Sequence, residues 1–198
     1  MAHALEKEIV EGCKAQKAHY QKRLYKTYYG KMLSICLRYS RNQEEAKDIL
    51  QEGFIKIFMN ISRFKQEGSL EGWIRRIMIN TAVNHYHKNK RMYSMSELSQ
   101  ERQTTIHLES NGMVVSEDAI SKLEYEALME LVQNLTPAYR LVFNLYVIEG
   151  FTHREIAAML QISEGTSKSN LAKARAKLQK QVVALMEERK ETSACLKN

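Results

Sequence analysis

Arg76, Asn80, Asn84, His87 and Arg91 recur at the three- and four-residue spacing of one helix face. At 100° per residue they share an arc of about 80°. Arginine and asparagine both form paired hydrogen bonds with base edges. Residues 73–91 hold five basic side chains and no acid. Just upstream, the loop 63–72 offers Phe64, Lys65 and Ser69, and Trp73 follows it. A nucleic-acid base stacks on an aromatic face. Phe64 fits that role, and equally that of a buried aromatic at a helix end. A second basic cluster covers 152–180, with six Lys or Arg against two acids. In it Lys168, Ser169, Asn170 and Lys173 lie on or beside one helix face, near its start. Arg154, Thr166, Arg175 and Lys177 surround them. This pattern suits base readers flanked by phosphate contacts. The alternative is an ordinary solvated helical hairpin.

A third face is mostly polar and not basic. Asp48, Gln51, Glu52 and Ile55 lie on one side of a helix whose other side carries Ile49, Leu50, Gly53 and Ile57. Taken alone, a solvated surface accounts for it. Nothing in the chain has the constellation of an enzyme: there is no glycine-rich phosphate loop and no nucleophile elbow. His85 and His87 stand two apart, point to different sides of a helix and make a poor metal pair. No cofactor and no metal is implied, and the expectation is a protein that is not an enzyme.

The elements that must position these residues are helices. Among 198 residues there are 1 proline and 8 glycines, too few for many hairpins. Helix starts are marked by Asn42 with Glu45, Ser121 with Glu124 and Thr152 with Glu155, all at capping-box spacing. Thr136 before Pro137 fits a cap followed by proline at the first helical position. Helix 152–160, a turn at Gln161, Ile162 and Ser163, and a second helix to about residue 180 make a helix-turn-helix. Ser167, Leu171, Ala174 and Leu178 form the buried stripe of that second helix. Ile156, Ala157, Leu160 and Ile162 pack beneath it.

The chain divides into a domain at 20–92, a linker at 93–121 and a second domain at 122–186. Residues 94–121 carry five acids against one arginine and read as flexible. The net charge of +7 favours a polyanionic partner. Three cysteines, widely spaced and odd in number, argue for a reducing cytoplasm and against a disulfide framework. Cys36 reads as a small buried hydrophobe. No stretch approaches the roughly 18 apolar residues of a membrane span.

One family accounts for both basic faces. The run Leu135, Thr136, Pro137, Tyr139, Arg140 and Phe143, then Glu149 to Ala157, then Ile162 to Ser169, resembles region 4 of bacterial sigma-70 family factors. Asp48 to Phe58 resembles the region 2 helix that docks on the clamp helices of RNA polymerase. Trp73, Ile74, Arg75, Arg76 and Ile77 with Asn80 resemble the helix that melts and reads the −10 element. Asn170, Asn84 and His87 depart from the commoner family residues. The two-domain layout is similar to the extracytoplasmic-function (ECF) group.

The resemblance implies polymerase binding at Asp48, Gln51, Glu52 and Ile55. It implies −10 contacts by Phe64, Lys65, Ser69, Trp73, Arg76, Asn80, Asn84 and Arg91, and −35 contacts by the 152–180 cluster. It also implies a monomer when free, with core RNA polymerase, promoter DNA and an anti-sigma factor as partners. The alternative is a helix-turn-helix regulator that is no polymerase subunit. A basic protein-interaction module, with little salt-dependent DNA affinity, is a third reading.

Overall fold

The computed structural model describes residues 2–65, 67–97 and 127–195. Among them there is no strand, so the fold is all-α as expected. Contacts divide the chain into two units, Met1–Lys90 and Arg91–Asn198. Most of the expected linker, with the Ser121 and Glu124 cap at its end, lies outside the described residues.

The first unit holds α1 (Ala2–Lys14), α2 (Ala18–Tyr39), α3 (Gln43–Asn60), a 3-10 turn (Ile61–Arg63) and all but the last residues of α4 (Leu70–Glu97). Helix α1 precedes the start expected at residue 20. Its Ile9, Val10 and Cys13 are buried, and it packs on α2 and on the 3-10 turn. The Tyr20 hydroxyl donates to Glu8 at 2.7 Å and that of Tyr28 to Glu6 at 3.3 Å. The core draws on Leu24, Met32 and Cys36 of α2, Ile49 and Ile57 of α3, and Ile74 and Met78 of α4. Gly53 is what lets α3 and α4 meet, since a Cβ there would run into the Met78 sulfur.

Local chemistry sets the helix ends. The Asn42 side chain caps α3 by accepting from the Glu45 amide at 2.8 Å. The return half of the expected capping box differs: Glu45 Oε2 accepts from the amide of Arg41 at 2.6 Å, one residue before the cap. That carboxylate is buried, and it also faces the Arg41 guanidinium at 3.3 Å and, through Oε1, His85 at 3.3 Å. A helix N-terminus favours an acid there, and these groups offset its desolvation. Helix α4 starts three residues before Trp73, with the Gly72 amide 3.3 Å from the capping Ser69 Oγ. It runs on to Glu97, past the expected end at residue 91, because neither glycine nor proline occurs after Gly72 to interrupt it.

In the second unit the described residues after α4 resume with helical residues 127–133, here α5. Then come α6 (Pro137–Phe143), a π turn (Asn144–Ile148), α7 (His153–Leu160) and α8 (Glu164–Cys195). Pro137 opens α6, but the Thr136 side chain makes no cap bond. Thr152 and Glu155 form the full capping box. Ser163 caps α8 by accepting from the Thr166 amide at 3.0 Å. Helix α8 runs beyond the expected end near residue 180, again without a breaker. Val132, Leu135, Ala174 and Leu178 cluster, with Leu131, Tyr139 and Phe143 packed against them. Ser167, Leu171, Ile156 and Leu160 are buried as the helical wheel required.

Gln161 ends α7 in the left-handed region, at φ 54°. A side chain there costs about 1–2 kcal/mol, which glycine avoids at some cost in unfolded-chain entropy. Gln161 is exposed, so its side chain takes no part in the core. Gln161→Gly is expected to stabilise the second unit by about 0.5–1 kcal/mol. Urea denaturation followed by circular dichroism should show the midpoint rise, and a fall would contradict the strain assigned to this turn.

Candidate nucleic-acid interface

Helix α4 has two sides. Ile74, Met78, Thr81 and Ala82 are buried. Arg76, Asn80 and Asn84 are exposed on the other side, and His87 is half-buried beside the Tyr86 ring. The three exposed side chains follow one another at four-residue steps, so they line up along the helix. The Arg91 side chain lies outside the described residues. Lys65 and Ser69 are exposed in the preceding loop, where Gly68 takes φ 120°, open only to glycine without strain.

Phe64 does not offer a stacking wall in this structure. It is only 8% exposed and packs against Trp73, with ring centroids 5.4 Å apart. The 3-10 turn brings this about, since its closing bond from the Phe64 amide to the Ile61 carbonyl, 3.1 Å, points the chain inward. Burying the ring gains apolar contact that an exposed position would forfeit. Trp73 is half-buried, which leaves it as the aromatic with surface at the loop.

On α3, Asp48, Gln51 and Ile55 are exposed and Glu52 is half-buried. Glu52 Oε1 lies 2.7 Å from Lys56 and 3.6 Å from Lys88 of α4. The hydrogen bond from Lys56 holds its carboxyl below the ordinary range, against a smaller opposing effect of burial. Glu52 is therefore engaged within the unit. Lys56 also reaches Thr81 of α4, at 3.3 Å. Met59, 75% exposed, extends the open face. The sequence reading missed it, although its place four residues after Ile55 was a usable signal.

In the second unit Arg154, Thr166, Lys168, Ser169, Lys173, Arg175 and Lys177 are exposed, and Asn170 is half-buried. The Thr166 and Ser163 hydroxyls share a 2.8 Å hydrogen bond at the open end of α8. By the helical wheel Lys168 and Arg175 lie on one flank of the buried stripe, and Asn170, Lys173 and Lys177 on the other. The two flanks meet different tyrosines. Lys173 Nζ is 6.0 Å from the Tyr139 ring centre, and the Arg175 guanidinium 5.9 Å from that of Tyr146. Tyr146 and His153 were absent from the expected site. The π turn that places Tyr146 carries no spacing signal. Among the described residues no group of side chains is set to hold a metal, and no helix is long and apolar enough to cross a membrane.

Two family models match the chain: Sigma-70 region 2 over residues 24–92, and Sigma-70, region 4 over 125–178. The chain is similar to the ECF RNA polymerase sigma factor SigW of Bacillus subtilis, 31% identical over 159 residues, covering 78% of this chain and 84% of that one. It is similar to the RNA polymerase sigma-H factor of Pseudomonas aeruginosa, at 27% over 168 residues, 81% and 85% of the two chains. The ECF RNA polymerase sigma-E factor of Haemophilus influenzae is 27% identical over 168 residues, 82% and 87% of the two.

Proposed function

The chain belongs to the sigma-70 family of RNA polymerase sigma factors, and from that premise we propose how its surfaces divide the work of initiation. A sigma factor directs core RNA polymerase to promoters and starts transcription; it is not the catalyst of RNA synthesis. In this chain the domain at 20–92 binds core polymerase through Asp48, Gln51 and Ile55, with Met59 added. Glu52 supports that face from within. The same domain reads and opens the −10 element through Arg76, Asn80 and Asn84 on α4, with Arg91, Lys65, Ser69 and Trp73. The domain at 122–186 reads −35 duplex through Lys168, Ser169, Asn170 and Lys173. Arg154, Thr166, Arg175 and Lys177 hold its phosphates. The acidic segment at 93–121 lies along the polymerase's basic RNA channel. The site of action is the cytoplasm, and an anti-sigma protein restrains the free, monomeric factor.

The observation that carries this reading is the sidedness of α4. Its asparagine and arginine stripe is exposed while the opposite side is core. A regulator that never opens DNA has no use for such a stripe beside a second DNA-binding unit. The test is capture of untagged core polymerase by the tagged full chain, followed by transcription in vitro from a selected promoter. Stable capture with promoter-specific transcripts is expected. Duplex binding without capture would instead select the regulator that is no polymerase subunit.

A further inference from the structure

A run of side chains in the second unit starts and ends on α8. Ser167 is fully buried, and its Oγ lies 2.9 Å from Nδ1 of His153, the first residue of α7. The His153 imidazole stacks on Tyr146, with centroids 4.5 Å apart and planes 22° apart. The Arg175 guanidinium stands 5.9 Å from the centre of that tyrosine ring. Arg175 follows Ser167 by about two helical turns, so the run closes on its own helix. Each member but Arg175 is held from behind. Ser167 is locked in the core, and His153 sits in the Thr152 and Glu155 capping box. Tyr146 rides on the π turn, which the Glu149 amide closes onto the Asn144 carbonyl at 3.0 Å. The next reversal is fixed by the Phe151 amide on the Leu145 carbonyl at 2.9 Å, with Gly150 at φ 75°.

Tyr146 is 36% exposed, which is too open for a residue whose task is to fill the core. Besides the His153 imidazole, its ring meets a cation, the Arg175 guanidinium. An aromatic face attracts a guanidinium, and an immobilised ring attracts it in one direction. A free arginine samples many rotamers and loses that freedom on gripping a phosphate. Restricting it beforehand lowers the loss. The guanidinium plane keeps donors available for phosphate oxygens while it rests near a ring. We propose that Tyr146, fixed by His153, is a positioning residue that holds Arg175 ready for a phosphate of duplex DNA beside α8. This rests on the assignment of Arg175 to phosphate made above.

The experiment measures binding of the full chain to a selected −35 duplex and to an unrelated duplex across salt concentrations, with circular dichroism as the check on folding. Arg175→Ala is expected to weaken both duplexes alike and to lower the log–log salt slope by about one. Tyr146→Leu keeps apolar bulk and removes the aromatic face. It should weaken both duplexes roughly two- to fivefold and leave the slope near that of the parent, since Arg175 still reaches its phosphate. In the double variant Tyr146→Leu should add nothing to Arg175→Ala, and Tyr146→Phe should bind as the parent does. If Arg175→Ala leaves the slope unchanged, the phosphate assignment fails and the platform falls with it. If Arg175→Ala lowers the slope but Tyr146→Leu weakens neither duplex, only the platform is overturned. Multiplying losses in the double variant, or a Tyr146→Phe chain as weak as Tyr146→Leu, would overturn it too.

Discussion

A chain carrying Asp48→Lys and Ile55→Ala is expected to lose about 2–4 kcal/mol of affinity for core RNA polymerase, roughly thirty- to a thousandfold. Both side chains are exposed on α3 and neither supports the core, so the far-ultraviolet spectrum and melting point should stay near those of the parent. The lysine reverses the charge offered to a basic partner surface, and the alanine removes an apolar contact that is 53% exposed in the free chain. Glu52→Gln is the instructive control. Its carboxylate already meets Lys56 and Lys88, and partly exposed pairs of this kind contribute only about 0.2–1 kcal/mol. The control should therefore show a small loss of stability and a smaller loss of polymerase affinity than the double variant. Competition binding against a labelled parent chain would measure both. Undiminished binding by the folded double variant would remove this face from the interface.

Promoter opening should respond as strongly to Arg76→Ala with Asn80→Ala. Each bidentate base contact is worth about 1–3 kcal/mol of discrimination, so losing two should reduce open complexes by roughly thirtyfold or more. Permanganate reactivity of −10 thymines, at polymerase concentrations that saturate core binding, reads this directly. Both side chains are exposed on the side of α4 away from Met78, and the variant should melt as the parent does. Phe64→Ala belongs to a different class. The ring is buried against Trp73, so its removal should destabilise the first unit by about 3–5 kcal/mol. Any loss of opening would then accompany loss of fold. Normal opening by the Arg76 and Asn80 variant would refute the assignment of the −10 face.

The elements were legible where the signal is local and periodic. Ser167, Leu171, Ala174 and Leu178 are buried because a 3.6-residue repeat leaves them nowhere else to go. Ser69, Thr152 and Ser163 cap because a short oxygen-bearing side chain at a helix start has one nearby amide to satisfy. What stayed hidden depends on how the backbone bends between periodic stretches. The 3-10 turn turned Phe64 inward, and the π turn carried Tyr146 to His153 and Arg175, by steps that break the repeat. Tertiary pairing hid two more features. Glu52 reads as part of an open face until Lys88 of another helix is placed beside it. Glu45 reads as half of a capping box until Arg41 and His85 share it. Helix α1 went unread because its buried apolar side chains among the described residues, Ile9, Val10 and Cys13, are too few for a convincing stripe.

The two sides of α4 are interleaved in the chain but separate in space. Ile74 lies two positions before Arg76, and Met78 stands between Arg76 and Asn80. Thr81 and Ala82 stand between Asn80 and Asn84. Transplanting a block of this helix into a relative would carry core and reading residues together, forcing a foreign packing surface onto Gly53 and its neighbours. If α4 reads the promoter as proposed, preference in such a scaffold would be inherited position by position. On the −10 assignment proposed above, positions 76, 80 and 84 would be free to drift toward new DNA while the residues between them stay bound to the old core.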